Sequence, residues 1–266
     1  MASGPTHTPR AAPSQPEAAP CRKRERPVLL ALAAAAALAA CGEPASSDLF
    51  PLEPGRSWTY RVTTDYEDSS REQGTLVLRS LPRDTLAAQD GLEPGSAWHR
   101  RSDSGIDYWL RQDASGIYRV ASKSDVEAEP RPDKTRRYVL KTPYAAGTQW
   151  QADTAPYLFR RRAEFPPEVR HGHPGLPMLY RIAALDQSVA AGGTTYIGCL
   201  KVEGRGQIKL FVDGVSGQRD LPVLTREWYC PGAGLVRLER DELTGAPATS
   251  FVYGGRLVME LVELES

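Results

Sequence analysis

The chain has 266 residues, of which 41% are hydrophobic, and its 33 Lys and Arg balance its 33 Asp and Glu. That length and apolar share suffice for one domain with a sizeable core. The charge balance lacks the basic excess of a nucleic-acid-binding surface, so no nucleic acid is expected as a partner.

Residues 1–20 are rich in Pro, Ala, Ser and Thr, a composition that cannot bury enough apolar surface to order itself. Arg22-Lys23-Arg24-Glu25-Arg26 follows as a basic cluster, and then Val28 to Ala40 forms an apolar run of 13 residues. A membrane-spanning helix needs about 20 such residues, whereas the apolar region of a cleavable export signal needs about 7–15. The run therefore reads as a signal and not as a span. Removing residues 1–40 takes away five basic and two acidic residues, which leaves 28 basic, 31 acidic and a net charge of −3.

Leu38-Ala39-Ala40-Cys41-Gly42 closes this region. Basic cluster, apolar run, small residues and a Cys stand in the order found in bacterial lipoproteins, and Leu38-Ala39-Ala40-Cys41 resembles their lipobox. The resemblance implies cleavage before Cys41, a diacylglyceryl group on its sulfur and a further acyl chain on the freed amino group. Each buried CH₂ contributes about 0.8 kcal/mol, so two or three chains hold a globular body on a bilayer. Gly42 in place of Asp implies, by the same resemblance, the periplasmic face of the outer membrane. Glu43 to Asp48 is a short polar tether. The expected organisation is thus a signal over 1–40, a lipidated Cys and tether over 41–48, and one β-rich domain over 49–266.

From Trp58 onward the chain alternates. Trp58, Tyr60 and Val62 face one way and Thr59, Arg61 and Thr63 the other, the period-2 signature of a strand with one buried face. Gly74–Ser80 is a second short strand. Ile106, Tyr108 and Leu110 alternate with Asp107, Trp109 and Arg111, and Gly116–Ser122 completes a hairpin with them. Arg137–Thr142, Thr148–Ala152, Tyr157–Arg161 and Met178–Ile182 are further strands. In the C-terminal third, Tyr196, Gly198, Leu200 and Val202 are expected on one face and Ile197, Cys199, Lys201 and Glu203 on the other. Ile208–Val212 follows. Leu221–Tyr229 and Leu235–Arg240 flank the turn Cys230-Pro231-Gly232-Ala233-Gly234, and Phe251–Gly254 and Leu257–Leu264 end the chain; Leu257, Leu261 and Leu264 also fit a helical period, so a short helix is the alternative to a strand there. Longer polar loops are expected over Asp84–Gly105, Ser122–Arg136 and Pro166–Pro174. Many short strands between Gly/Pro turns predict an all-β, mostly antiparallel curved sheet, half-barrel or barrel-like.

Three stretches, Phe50-Pro51-Leu52…Gly55…Trp58-Thr59-Tyr60, Val189-Ala190-Ala191-Gly192-Gly193-Thr194…Cys199-Leu200-Lys201-Val202 and Trp228-Tyr229-Cys230-Pro231-Gly232-Ala233-Gly234-Leu235-Val236-Arg237, are similar to segments of β-rich bacterial lipoproteins. These look like the lipoprotein-carrier type of fold, a curved antiparallel sheet closed on one side. The resemblance implies a concave apolar face and no particular ligand.

Of the four cysteines, Cys21 falls in the leader and Cys41 takes lipid. Cys199 and Cys230 remain, and in an oxidising compartment they are expected to pair, the alternative being two buried free thiols. His171 and His173 would share a strand face, but no third ligand stands at metal spacing, so a solvated loop is favoured over a metal site. Arg160-Arg161-Arg162 with Arg170 could attract phosphates or headgroups, although such runs are usually solvated faces. Trp58, Trp98, Trp109, Trp150 and Trp228 could line an apolar pocket, with core filling the preferred reading. The sequence contains no G-x-S-x-G, H-E-x-x-H, G-x-x-x-x-G-K-[ST] or C-x-x-C, so no enzyme and no cofactor are expected. The expectation is a lipid-anchored envelope module that binds or carries an apolar ligand or acyl chain; the alternative is a structural partner of another envelope protein. Labelling cells with radioactive palmitate should mark the wild-type chain and leave Cys41→Ser unmarked, and equal labelling of both would remove the anchor.

Overall fold

The computed structural model describes residues 49–162, 175–245 and 250–265. The chain divides into two units, Met1–Cys41 and Gly42–Ser266, and every described residue belongs to the second. Its strands, in chain order, are β1 (Ser57–Tyr66), β2 (Arg71–Leu86), β3 (Gly95–Ser102), β4 (Ile106–Asp113), β5 (Gly116–Ser124), β6 (Arg131–Lys141), β7 (Gln149–Thr154), β8 (Arg160–Arg161), β9 (Leu176–Ala191), β10 (Thr194–Asp213), β11 (Gly217–Cys230), β12 (Gly234–Glu242), β13 (Val252–Tyr253) and β14 (Gly255–Glu265). Twelve of them form one sheet in the order β6-β5-β4-β3-β2-β1-β14-β12-β11-β10-β9-β7, and β8 pairs with β13. All the ladders are antiparallel.

Within the large sheet each strand lies beside its neighbour in sequence, and β1 pairs with β14 from Ser57↔Glu265 to Tyr66↔Gly255. The first and last strands thus zip two arms together. The arms come round until the outer strands, β6 and β7, approach; there Arg137 Nη2 donates to Thr154 Oγ1 at 3.4 Å. The result is a nearly closed up-and-down barrel with one seam that no ladder crosses.

Strand alternation decides what fills it. Leu200 and Val202 on β10 join Ile182, Tyr229, Trp150, Leu140 and Ile117 in one cluster, into which the segment before β1 inserts Leu49, Phe50 and Leu52. Further along β10, Ile208, Leu210 and Val212 pack with Leu176, Met178, Leu221, Val223, Phe159 and Val252. These clusters take opposite ends of β10 and β11, so the lumen is packed at two levels. Between them lie Gly204 and Gly206. A Cβ on Gly204 would overlap Thr225 Oγ1 and the Tyr180 ring, and one on Gly206 would overlap Met178 Sδ. Glycine at these positions leaves room for Tyr180 and Met178, their partners on the adjacent strand β9, to lean over β10.

The outer face is ionic. Arg71–Asp65 joins strands β2 and β1, Arg256–Asp241 joins β14 and β12, and Arg226 bridges from β11 to both Asp241 and Glu239. A second row runs Arg61–Glu260–Arg237–Glu239. Each exposed pair contributes about 0–1 kcal/mol, but together they mark a face turned to water. A barrel facing lipid carries an apolar band there instead.

Cys199 and Cys230 are joined by a disulfide across β10 and β11, with their Cα atoms 4.2 Å apart. They lie in a cluster with Val189, Ala191, Val236 and Ala233, against Trp58, Met259 and Leu261. A register shift between Tyr196 and Cys199 alters the expected faces of β10. Gly198 takes φ +69°, Ile197 swings out to 76% exposure, and Tyr196 and Cys199 end on the same side.

Two expected loops are strands. β3 occupies much of Asp84–Gly105, and β6 begins at Arg131 inside Ser122–Arg136. In β3 the inward positions carry Arg100 and Ser102, both buried, so its polarity pattern is inverted and reads as loop. Its other face supplies Ala97 to a cluster with Trp109, Ala121, Leu86 and Leu92 beneath the β2–β3 connection. The predicted strand Tyr157–Arg161 shrinks to β8, while Leu257–Leu264 is a strand within β14. Residues 166–174 lie outside the described residues.

The bridge closes a separation of 31 residues, for which about 2–4 kcal/mol is typical. Urea unfolding should show the double variant Cys199→Ser/Cys230→Ser less stable by that amount, with reductant moving only the wild type. Gly204→Ala should cost about 1–3 kcal/mol by forcing Tyr180 off its rotamer.

Candidate functional site

Between the β1–β6 arm and the β11–β12 wall the lumen is not filled. A cavity of about 240 Å³, partly open to solvent, lies there. Its apolar lining comes from Phe50, Leu78, Leu110, Val139 and Leu235, and its tyrosines are Tyr60, Tyr108, Tyr138 and Tyr229. Three cations complete the wall: Arg100 from β3, Arg119 from β5 and Arg137 from β6. Among the described residues no carboxylate lines it.

The position of these arginines follows from register. Ser80 opposes Arg100 and Arg100 opposes Tyr108, so β3 carries Arg100 inward with Tyr108 beside it. Bulges between Trp109 and Leu110, and between Arg119 and Ala121, put Arg119 opposite both Leu110 and Arg137. Two guanidiniums therefore neighbour one another on the wall.

Arg100 is 7% exposed. It is sandwiched between Phe50 and Trp58, its guanidinium carbon 4.4 Å and 4.3 Å from the two ring centres. Its Nη2 donates to Pro51 O at 2.7 Å, with Ser80 Oγ at 3.5 Å, and its buried Nε has no partner. No acidic side chain among the described residues forms an ion pair with it. Removal from water pulls its pKa down to about 10, which still leaves it charged at neutral pH. Burying an unpaired ion costs several kcal/mol. Cation–π contact with two rings, about 0.5–2 kcal/mol each, offsets part of that.

Arg119 differs, since it makes a two-point contact with Asp133 through Nε and Nη2. Among the described residues, Arg137 hydrogen-bonds Thr154 Oγ1 and has no ion-pair partner. Burial, and then the nearby Arg119, lower its affinity for its proton. Deeper in, Tyr229 donates to Glu227 Oε2 at 2.6 Å. Burial raises the Glu227 carboxyl, against smaller opposing effects of Tyr229, Arg240 and Arg137. Below it Arg240 Nε donates to Glu242 Oε1 at 2.6 Å, and Glu242 accepts the backbone N–H of Leu158 at 2.8 Å. That fully buried pair pins the segment after β7 across the lumen and is structural.

The residues singled out in the sequence lie elsewhere. Trp58 donates from Nε1 to Ala233 O at 2.7 Å, and Trp150 stacks on Tyr180 within the core. Trp109 donates to Asp84 and stacks on His99 outside the sheet, Trp98 lies under Arg83, and Trp228 lies near Lys201. None of the five lines the lumen cavity. Arg160 pairs with Glu72 over the Tyr66 ring, and Arg162 donates to Ser250 O; these two positions of the basic run hold the small β8–β13 ladder in place. Cys41, Arg170, His171 and His173 lie outside the described residues. Among the described residues no cluster of His, Cys, Asp and Glu could hold a metal. The lumen arginines are not legible in the sequence, because Arg at a period-2 position reads as the solvent face of a strand. The available signal was Arg119 and Arg137 set beside aromatic residues in Tyr118-Arg119-Val120 and Arg137-Tyr138-Val139.

No family model matches this chain, and no curated protein does. Two solved structures are similar in outline. One is from Bacteroides fragilis, provisionally described as an exported protein with a YmcC-like fold. It is 14% identical, with a TM-score of 0.34, over 82% of this chain and 98% of its own. The other is from Parabacteroides distasonis, provisionally described as a lipoprotein. It is 13% identical, with a TM-score of 0.33, over the same 82% and 98%. What the lumen does is read from its own residues.

A carboxyl raised by burial binds its proton more tightly folded than unfolded. Glu227 therefore opposes folding increasingly as pH rises through its folded value, and that cost vanishes well below the ordinary carboxyl range. Glu227→Gln keeps an acceptor for Tyr229. Thermal unfolding should find this variant more stable than wild type at pH 7, with the gap closing towards pH of about 4.

Proposed function

We propose that this protein is an exported, lipid-anchored module of the cell envelope that holds an apolar ligand or an acyl chain in its lumen and performs no chemistry on it. The observation that carries the reading is the cavity of about 240 Å³ with apolar walls inside a barrel otherwise packed at both levels. Its volume lies just under the roughly 300–1,000 Å³ of most small-molecule pockets, which suits one chain better than a bulky molecule. The ionic outer face favours a body standing in water over one embedded in lipid. The lipobox-like Leu38–Cys41 and the polar stretch Glu43–Asp48 supply the anchor and the tether. The seam between β6 and β7 is the natural way in. It has one side-chain hydrogen bond where the other strand boundaries have ladders, and β6 itself lines the cavity.

The full chain carrying Cys41→Ser should bind the neutral dye N-phenyl-1-naphthylamine at one site with a rise in fluorescence. Leu110→Trp, which fills the cavity, should weaken binding about tenfold or more through lost apolar contact. Absence of binding by the folded protein, or equal binding by Leu110→Trp, would overturn the carrier reading.

A further inference from the structure

The lumen is built for more than a hydrocarbon. A pocket meant for a chain alone needs no charge, and each buried ion costs stability. Yet three of the residues lining this cavity are arginines and none is acidic. Asp133 satisfies Arg119. Arg100 and Arg137 remain without an ion-pair partner among the described residues, and the Nε of Arg100 is buried without any acceptor. Folding has already removed these two guanidiniums from much of the water that would compensate them. An incoming anion would restore the missing partner. Apolar surface lies beside the charge, in Leu78, Leu110, Val139 and Leu235.

We propose that the ligand is a single-chain amphiphile with an anionic head, a carboxylate or phosphate monoester. Arg100 and Arg137 hold the head, and the chain lies against Leu78, Leu110, Val139 and Leu235. This rests on the reading of the lumen as a carrier pocket and names the class of molecule carried. Planar guanidiniums suit both heads, because each presents paired donors to two oxygens. Arg100 has little freedom to move, being fixed between Phe50 and Trp58. The head therefore meets a positioned cation, which reduces the entropy lost on binding.

The test is displacement of N-phenyl-1-naphthylamine from the full chain carrying Cys41→Ser. Dodecanoate and dodecyl phosphate should displace it at concentrations about tenfold or more below dodecanol, the margin expected of a hydrogen bond to a charged group. Inorganic phosphate should not displace it. Arg137→Gln should remove most of that margin while leaving dodecanol unchanged, and Arg100→Gln should do the same. Arg100 also clamps Phe50 and Trp58, so its variant is read only where near-ultraviolet circular dichroism matches wild type; Arg137→Gln decides the matter otherwise. If the dye does not bind at all, the carrier reading falls. If the dye binds but acid, phosphate ester and alcohol displace it equally, that reading stands and the anionic head is overturned. Displacement by inorganic phosphate as effective as by dodecyl phosphate would overturn the amphiphile. A margin undiminished in a folded Arg137→Gln would also overturn the proposal.

Discussion

The ladder between β1 and β14 is the constraint on which the other features depend. It joins the first and last strands of the domain over ten residue pairs. Without it the sheet is two separate meanders, each with an exposed edge. With it, twelve strands form one surface whose accumulated twist bends it round until β6 meets β7. The same ladder stations Trp58 and Tyr60 where they reach Ala233 O and Leu235 O on the far arm. It also carries the ionic rows across β2, β1, β14, β12 and β11. Inside and outside are therefore fixed together: one face of each strand must fill a lumen, and the other must satisfy water.

A lumen of this kind is hard to fill evenly. Two apolar clusters close it at separate levels, and glycines at 204 and 206 make room for Tyr180 and Met178 of the adjacent strand. Between and above these lies an unusual density of buried polar groups: Glu227 with Tyr229, Arg240 with Glu242, and the arginines of the cavity. Arg240 and Glu242 compensate one another and pin a backbone segment. Arg100 has no such compensation. It is tolerated because two aromatic faces and the Pro51 carbonyl take the place of water. A site that retains a cation at such expense differs from ordinary core, where replacement by a hydrophobe would be neutral or stabilising. That asymmetry distinguishes the cavity from a packing defect.

The strands were legible where one face was apolar and the other polar. β1 and β4 obey that rule; β11 departs from it where Thr225 and Glu227 turn inward, and Leu257–Leu264 of β14 also fits a helical period. β3 and the start of β6 do not, because Arg100 and Ser102 point inward on β3, and β6 opens with a polar, largely exposed stretch before Arg137 reaches the lumen. For the tryptophans the sequence favours core filling over a pocket, and each is consumed in packing or lies outside the sheet. The basic run at Arg160–Arg162 reads in sequence more readily as a solvated face than as an anion site, and its Arg160 and Arg162 are engaged in local contacts. The arginines that do border a cavity are separated by 19 and 18 residues in the chain, and only register brings them together.

By itself the sequence determined the all-β class and the antiparallel sense of the sheet. Those depend on local quantities: a period of two and turn residues between strands. Tertiary structure alone decided that the sheet nearly closes, that Arg100 is buried without an acid, and where the lumen stays empty. Those depend on which strands pair across 200 residues, and on how many side chains of a given volume meet inside. No local pattern carries that information, because an arginine at an alternating position is the same in sequence whether water or a cavity lies in front of it.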